Sequence, residues 1–300
     1  MNRRKRSTAL IGGQDFHVHT HHSPCGHRTA TARAMLMTAR QRGLRVIGFT
    51  DHFAPYLVPG ISFYDQQDGR ILANLRTELA DVSTCLEVLI GIEADYTVFG
   101  EECVDEATME QVDYVAVSAT HFHLGVPAPD ESDPRRAVEQ LLQLAWEAVA
   151  LPVTTILVHP FDWIGAGSLT TMLETLTDDE LAALGQWACE KRVALEINGH
   201  SCRKADYRQA TARFFRLAHE VGARFTVSSD AHAPEQLAWL DLAVAWAQEL
   251  GLSEDNFLTA NELRAWHQEK RSRTRPGVRK GGPIGDLAAC SLRCASGTLR

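Results

Sequence analysis

The first residues whose types and spacing suggest chemistry are His17 and His19, in the stretch Asp15-Phe16-His17-Val18-His19-Thr20. Side chains two apart on an extended segment share a face. Two neutral imidazoles on one rigid face suit a divalent transition metal. Cys25-Gly26-His27 follows on the next loop, and the same residue types recur down the chain: His52, Glu93, His121, His159, Glu196, Asp230 and His232. Any one of them alone reads as a buried structural residue. Together they are histidines with a few carboxylates, the ligands of zinc, manganese or iron. The set exceeds the donors one ion takes, so a centre of two or three ions is expected. Ions about 3.5–4 Å apart can clamp both the attacking and the leaving oxygen of a phosphoryl group. Glu93, lone at its strand end, is the natural bridging carboxylate.

These residues must be positioned, and the sequence says by what. Apolar, β-rich runs end in each of them: Leu44–Phe49 before Thr50-Asp51-His52, Leu86–Ile92 before Glu93-Ala94-Asp95, and Tyr114–Ser118 before Thr120-His121. Further on come Val153–Val158 before His159, Val193–Ile197 around Glu196, and Arg224–Ser228 before Ser229-Asp230-Ala231-His232. Between the runs, helical periodicity is expected over 29–42, 68–83, 101–111, 135–149, 178–191 (with Thr177 and Asp178 as caps), 207–221, 234–250 and 260–271. Strands alternating with helices imply a parallel sheet with covering helices. Polar residues at every strand's C-terminal end fit a closed or nearly closed barrel better than a doubly wound sheet, whose sites gather at one switch point. The expectation is a single α/β barrel domain over residues 11–270.

The chain has 300 residues, 45% of them hydrophobic, enough for a large core. No apolar run approaches a membrane span. No apolar stretch follows the basic start, so a secretory signal is not expected. Seven scattered cysteines without CxxC pairs suit a reducing, cytosolic setting. Residues 11–269 hold 18 cations against 37 acids, a net of −19, between a basic segment at 1–10 and another from Lys270 onward. An acidic body argues against a nucleic-acid surface. The two basic ends, 1–10 and 271–300, read as solvated, disordered tails. No glycine-rich phosphate loop or dinucleotide fingerprint is present. Cys25 lacks a base-and-orienter pattern for a nucleophile, and Trp163, Trp239 and Trp246 read as packing residues. Asp15 and Asp51, each beside a candidate ligand, could orient histidines.

The motifs His-Val-His-Thr (17–20), Thr-Asp-His (50–52), Gly-Ile-Glu-Ala-Asp-Tyr (91–96), Thr-His (120–121), Val-His-Pro (158–160), Glu-Ile-Asn (196–198) and Ser-Ser-Asp-Ala-His (228–232), in this order, resemble the PHP superfamily of polymerase and histidinol-phosphatase domains. The resemblance implies a distorted (β/α)7 TIM-like barrel with a trinuclear centre that hydrolyses phosphoesters. It implies one ion held by His17, His19, Glu93 and Asp230, a second by Glu93, His121 and His159, and a third by His27, His52 and His232. Glu93 and Asp230 would serve catalysis through the ions they hold. The loop from His19 to His27 is longer than the family's usual step, and His21 or His22 could substitute for His27. The stretch Leu195–Asn198, Cys202-Arg203-Lys204 and Ser229–His232 looks like the histidinol-phosphatase branch, which implies Arg203 as the phosphate clamp, a fork suited to phosphate oxygens. The chain departs from that branch after His159, where no basic residue stands nearby, and His123 and His200 are additional.

The expected function is hydrolysis of a small phosphomonoester, histidinol phosphate first among candidates, with two or three divalent ions (Zn, Mn or Fe). The partner would be a small phosphorylated molecule, with no membrane and no nucleic acid. The rival readings are a phosphodiesterase or nuclease, a non-catalytic metal-binding protein, and hydrolysis of a non-phosphate ester.

Overall fold

A computed structural model describes residues 11–274 apart from 125, 163, 164 and 166. The segments 1–10 and 275–300, expected as basic tails, and Trp163, expected as a packing residue, lie outside the described residues. Strands β1 (Gln14–Val18), β2 (Val46–Phe49), β3 (His52–Phe53), β4 (Glu87–Asp95), β5 (Tyr114–Ser118), β6 (Ile156–Leu157), β7 (Ala194–Asn198) and β8 (Phe225–Ser228) pair in parallel throughout. β2 and β3 both run along β4, at Glu87–Ile90 and Glu93–Ala94, so they are one strand interrupted at Thr50-Asp51. Seven strand positions result, in the order β1-β2/β3-β4-β5-β6-β7-β8. β8 returns to β1 through a parallel bridge between Val18 and Ala231 and through Asp230 N donating to His17 O at 2.8 Å. The molecule is a nearly closed (β/α)7 barrel.

Helices cover the outside: α1 (Ala32–Gln41), α2 (Arg70–Ala80), the short α3 (Tyr96–Phe99) and α4 (Glu106–Met109), α5 (Pro134–Ala150), α6 (Leu169–Glu174), α7 (Asp178–Lys191), α8 (Ala205–Glu220), α9 (Leu240–Glu249) and α10 (Ala260–Thr274). Each buries one stripe. In α5 that stripe is Ala137, Val138, Leu141, Ala145, Ala148 and Val149, the i, i+4, i+8 spacing of a helix laid on a sheet. α7 begins with a reciprocal capping box between Thr177 and Glu180. The helix expected over 101–111 is broken, because Asp105 accepts from Thr108 N at 2.7 Å and starts a new short helix there. α6 was not foreseen, and α10 continues to Thr274, past the expected tail boundary at 271. Only Ile156 and Leu157 of the expected 153–158 strand have strand geometry, the hydroxyl of Thr155 accepting from Val115 N instead.

Alternation along the strands divides the core in two. Outward residues such as Ile47, Ile92, Val115, Leu157, Leu195 and Val227 pack under the helices. Phe16, Val46, Leu89, Tyr114, Ile156 and Ala194 fill the lower half of the barrel with Leu258 and Leu263, which plug it from the α10 side. Gly48 and Gly91 make room for the Tyr114 side chain, since a Cβ on Gly48 would lie 2.1 Å from its hydroxyl and one on Gly91 2.7 Å from its ring. Tyr114 donates its hydroxyl to Phe16 O at 2.7 Å. Among the described residues no helix is long and apolar enough to cross a membrane.

Candidate metal centre

Above that apolar floor the same alternation brings polar side chains into the barrel mouth. Leu89, Gly91 and Glu93 share a face of β4, and Ala194, Glu196 and Asn198 share a face of β7. His17, His19, His52, Glu93, His121, His159 and Asp230 are all buried, and His232 is half-buried beside them. Glu93 is the hub. Its Oε2 faces His17 Nε2 at 3.4 Å, His19 Nε2 at 3.4 Å and His52 Nδ1 at 3.2 Å. Its Oε1 faces His159 Nε2 at 3.0 Å and His121 Nε2 at 3.6 Å. Asp230 Oδ1 lies 3.3 Å from His19 Nε2 and 3.7 Å from His17 Nε2.

The ends of the ligands away from the cluster are held by a second tier. Glu196 Oε1 accepts from His17 Nδ1 at 2.9 Å, and its other oxygen accepts from His159 N at 2.7 Å. Ser228 also donates to Glu196. Asp95 lies 3.2 Å from His121 Nδ1 and is itself held by Tyr64 Oη at 2.5 Å. Ser23 Oγ meets His19 Nδ1 at 3.2 Å and accepts from His52 N at 2.9 Å. Such outer contacts fix which ring nitrogen turns inward. Asp15 and Asp51 do something different from orienting imidazoles. Asp15 accepts from Ser229 N and His17 N, and Asp51 accepts from both N and Oγ1 of Thr20, so both clamp backbone.

The electrostatics show how tightly the groups are coupled. Burial opposes charge on His17, but Glu196, Asp230 and Glu93 outweigh it and raise its pKa well above that of a free imidazole. His121 is likewise pushed up to about 9 by Asp95 and Glu93 against the cost of burial. Burial pulls His52 well down and His232 down to about 4. Burial would raise the Glu93 and Asp230 carboxyls, but the surrounding imidazoles hold both well below the usual carboxylate range. His159 at φ 29° and Asp230 at φ 56° are non-glycine residues in the left-handed region, a local strain that recurs where geometry serves a site.

The donor set fits divalent metal ions. Five buried imidazoles and two carboxylates converge with N···O spacings of 3.0–3.7 Å. Donors sharing one ion at about 2.0–2.2 Å have such spacings. His17 and His19 turn their Nε2 atoms to each other at 3.1 Å, and His52 Nδ1 is buried without a hydrogen-bond partner. Three groups have ligand atoms close enough to share an ion: His17, His19 and Asp230; His19, His52 and Glu93; and Glu93, His121 and His159.

The expected third site is altered. His27 is exposed and its Nδ1 meets Thr29 Oγ1 at 2.7 Å, away from the cluster. Cys25 faces the centre in its place and forms a fourth group with His19 and His232. His27 N donates to His232 O at 2.7 Å, so the His27 backbone lies beside the centre while its ring bonds to Thr29. As a free thiol Cys25 is a poor nucleophile, since burial, Glu93 and Asp230 raise its pKa. His21 and His22 face Glu78 on α2 and not the centre.

A cavity of about 160 Å³ opens over the cluster, with Phe63, His123, Asp162, His200 and Lys204 around its mouth. Arg203 is not among its lining residues. Its guanidinium stacks at 4.3 Å on Trp239, whose other neighbour is His200 at 5.1 Å and 16°. The next residue, Lys204, supplies the cation at the mouth, with Nζ 2.7 Å from Asp162 Oδ1. Sequence reasoning missed Lys204, Asp162 and Asp95. Asp95 was legible, two residues beyond Glu93 on the same strand face.

The sequence matches the PHP domain over residues 15–200. The chain belongs to the PHP family. A probable phosphatase of Aliivibrio fischeri is 27% identical over 254 residues, 82% of this chain and 90% of that protein. A probable histidinol-phosphatase of Deinococcus radiodurans is 29% identical over 243 residues, 77% and 90% of the two. Among solved structures, the histidinol phosphate phosphatase of Lactococcus lactis, complexed with zinc, L-histidinol and phosphate, superposes with a TM-score of 0.57 at 18% identity, over 80% of this chain and 94% of that one. That likeness confirms the barrel. The match spans the strand ends from His17 to Glu196, which carry most of the candidate ligands.

Proposed function

We propose that this PHP-family phosphatase hydrolyses a small phosphomonoester at the barrel mouth, with histidinol phosphate as the first candidate substrate and residues 11–270 as the catalytic domain. The observation that carries the reading is Glu93, whose two oxygens face two separate sets of imidazoles, the arrangement of a carboxylate shared by two ions. His17, His19 and Asp230 would hold one ion, and Glu93, His121 and His159 a second. A third would take His52 and His232, with Cys25 in the place expected for His27. Bound ions would supply Lewis acidity, making water a stronger nucleophile at neutral pH and screening the phosphoryl oxygens.

The chain's own groups do the rest. Glu196, Asp95 and Ser23 fix the ligand rings, so little reorganisation is needed when substrate arrives. Lys204, drawn to the rim by Asp162, meets the phosphate's negative charge, and the small cavity favours a monoester over a polymer. Among relatives, one bears the name histidinol-phosphatase and others only that of a phosphatase, which is why the substrate remains the proposed part. The five described cysteines are unpaired, in keeping with a cytosolic location.

The test is phosphate release by protein loaded with zinc or manganese, against a panel holding histidinol phosphate, nucleoside monophosphates and single-stranded DNA. Selective release from histidinol phosphate is the expected result. Release from other monoesters alone would keep the chemistry and discard that substrate. Cleavage of DNA alone, or silence with metal shown to be bound, would overturn the reading.

A further inference from the structure

A second histidine group stands outside the barrel mouth and shares no donor with it. His21 and His22, on the loop after β1, turn toward Glu78 on α2. His22 Nε2 lies 3.3 Å from Glu78 Oε2 and His21 Nδ1 lies 3.8 Å from the same oxygen, with the two rings 4.2 Å apart. All three ligand atoms fall within 4.8 Å of one another. His22 Nε2 and Glu78 Oε2 are both shut off from water, and neither has a hydrogen-bond partner although they face each other. A buried nitrogen and oxygen that face each other without a hydrogen bond are costly unless both also bind a shared partner. Two donors each about 2.0–2.2 Å from one ion, at a tetrahedral angle, lie roughly 3.3–3.6 Å apart.

We infer that His21, His22 and Glu78 form a peripheral site for a divalent cation of the zinc class. Two imidazoles and a carboxylate are a borderline-soft set that suits zinc over magnesium or calcium. Three protein donors leave a position open to water, so the site binds more weakly than a closed four-ligand one. The loop is already shaped for it. His21 N donates to Ala30 O at 2.9 Å, His22 N to Thr20 Oγ1 at 3.2 Å, and Gln67 Nε2 to His22 O at 3.2 Å. The ion would clip this loop to α2. The loop carries Ser23, which holds His19 and the backbone of His52, and Cys25, which faces the main centre. Occupancy of the clip would therefore stiffen the ligands next door without touching them.

The inference does not depend on what the barrel mouth hydrolyses, and the experiment keeps the two apart. Zinc-loaded full-length protein is competed against a chromophoric chelator to count zinc equivalents and rank their affinities. Wild type should hold one equivalent more than His22→Ala or Glu78→Gln, each checked for an unchanged circular dichroism spectrum. Glu93→Ala, which strips the main centre, should keep that equivalent. His21→Ala, which removes the most exposed of the three side chains, should weaken it and covers the case in which His22→Ala fails to fold. Equal zinc counts and affinities in wild type, His21→Ala and Glu78→Gln would overturn the clip, as would its loss in Glu93→Ala alone.

Discussion

The two ends of the barrel interior are built on the same strands from opposite chemistry. At the floor, Phe16, Val46, Leu89, Tyr114 and Ile156 interlock with Leu258 and Leu263, and the one buried hydroxyl among them, that of Tyr114, is satisfied by a carbonyl. At the mouth, at the C-terminal ends of those strands and just beyond, the inward side chains are carboxylates and imidazoles that face one another. The mouth concentrates charge that burial opposes, and its carboxylates and raised histidines depend on each other to remain ionised. One end supplies rigidity, and the other is prepared for ions.

Breaking the mouth should leave the floor standing. Glu93→Ala should cut turnover by on the order of a thousandfold or more, with metal content falling by more than one ion and the far-ultraviolet spectrum unchanged; retained turnover would refute the shared-carboxylate role. The reverse experiment is Tyr114→Ala. It should cost about 3–5 kcal/mol of stability, as for other large aromatic truncations in a core, while kcat of the folded protein stays within a factor of a few. Chemical denaturation and kinetics on one preparation measure both. A milder change at the mouth is Glu196→Gln, which keeps the shape but weakens the hold on His17 Nδ1. Metal affinity should fall about 10–100-fold, and an unchanged chelator competition curve would count against the second tier.

Proton linkage sharpens the contrast. In metal-free protein His121 titrates near 9 and His17 also lies above its ordinary value, so both carry protons at pH 7. Zinc binding must expel them. Apparent affinity should therefore rise with pH up to about 9, with proton release seen in calorimetry across buffers of different ionisation enthalpy. The sign for stability is opposite: a raised histidine pKa stabilises the metal-free fold below the unfolded value of 6.5 and loses that contribution as pH climbs through about 9. The smallest effect distinguishes neighbouring loop residues. Cobalt-substituted protein should show a thiolate charge-transfer band that Cys25→Ser removes and His27→Ala leaves intact. Absence of the band in wild type would restore the question of the third site.

The fold and most of the candidate centre were legible because each candidate ligand closes an apolar run, and a parallel strand delivers its last residues to one end of the barrel. His17, His52, Glu93, His121, His159 and Asp230 could be gathered because each stands at or just past the end of an apolar run. Loop residues carry no such mark. The turn through Ser23 and Gly26, where a Cβ on Gly26 would collide with Thr20 O at 1.9 Å, exchanged Cys25 for His27. Likewise Arg203 and Lys204 are adjacent, and only the aromatic face of Trp239, far off in sequence, decides which one leans outward. Asp15 and Asp51 adjoin candidate ligands, which left orienting an imidazole and plain burial both open; they are buried and hold the backbone at the strand ends, Asp51 with the Thr20 hydroxyl as well.

The bridge between β8 and β1 has a consequence of another kind. Residues 214 apart in sequence meet at the seam, through Ser229 N to Asp15 Oδ1, and Asp230 N and His19 N complete it. The ring is thus fastened at the end where His17, His19 and Asp230 stand, by the very segments that carry them. A chain that has not brought its first and last strands together has no complete ligand set, and an ion captured there would act as the buckle of the fold. Capture of metal and completion of folding would then be one event seen from two sides. Slowed amide exchange at His19 and Asp230 on adding zinc would be its record.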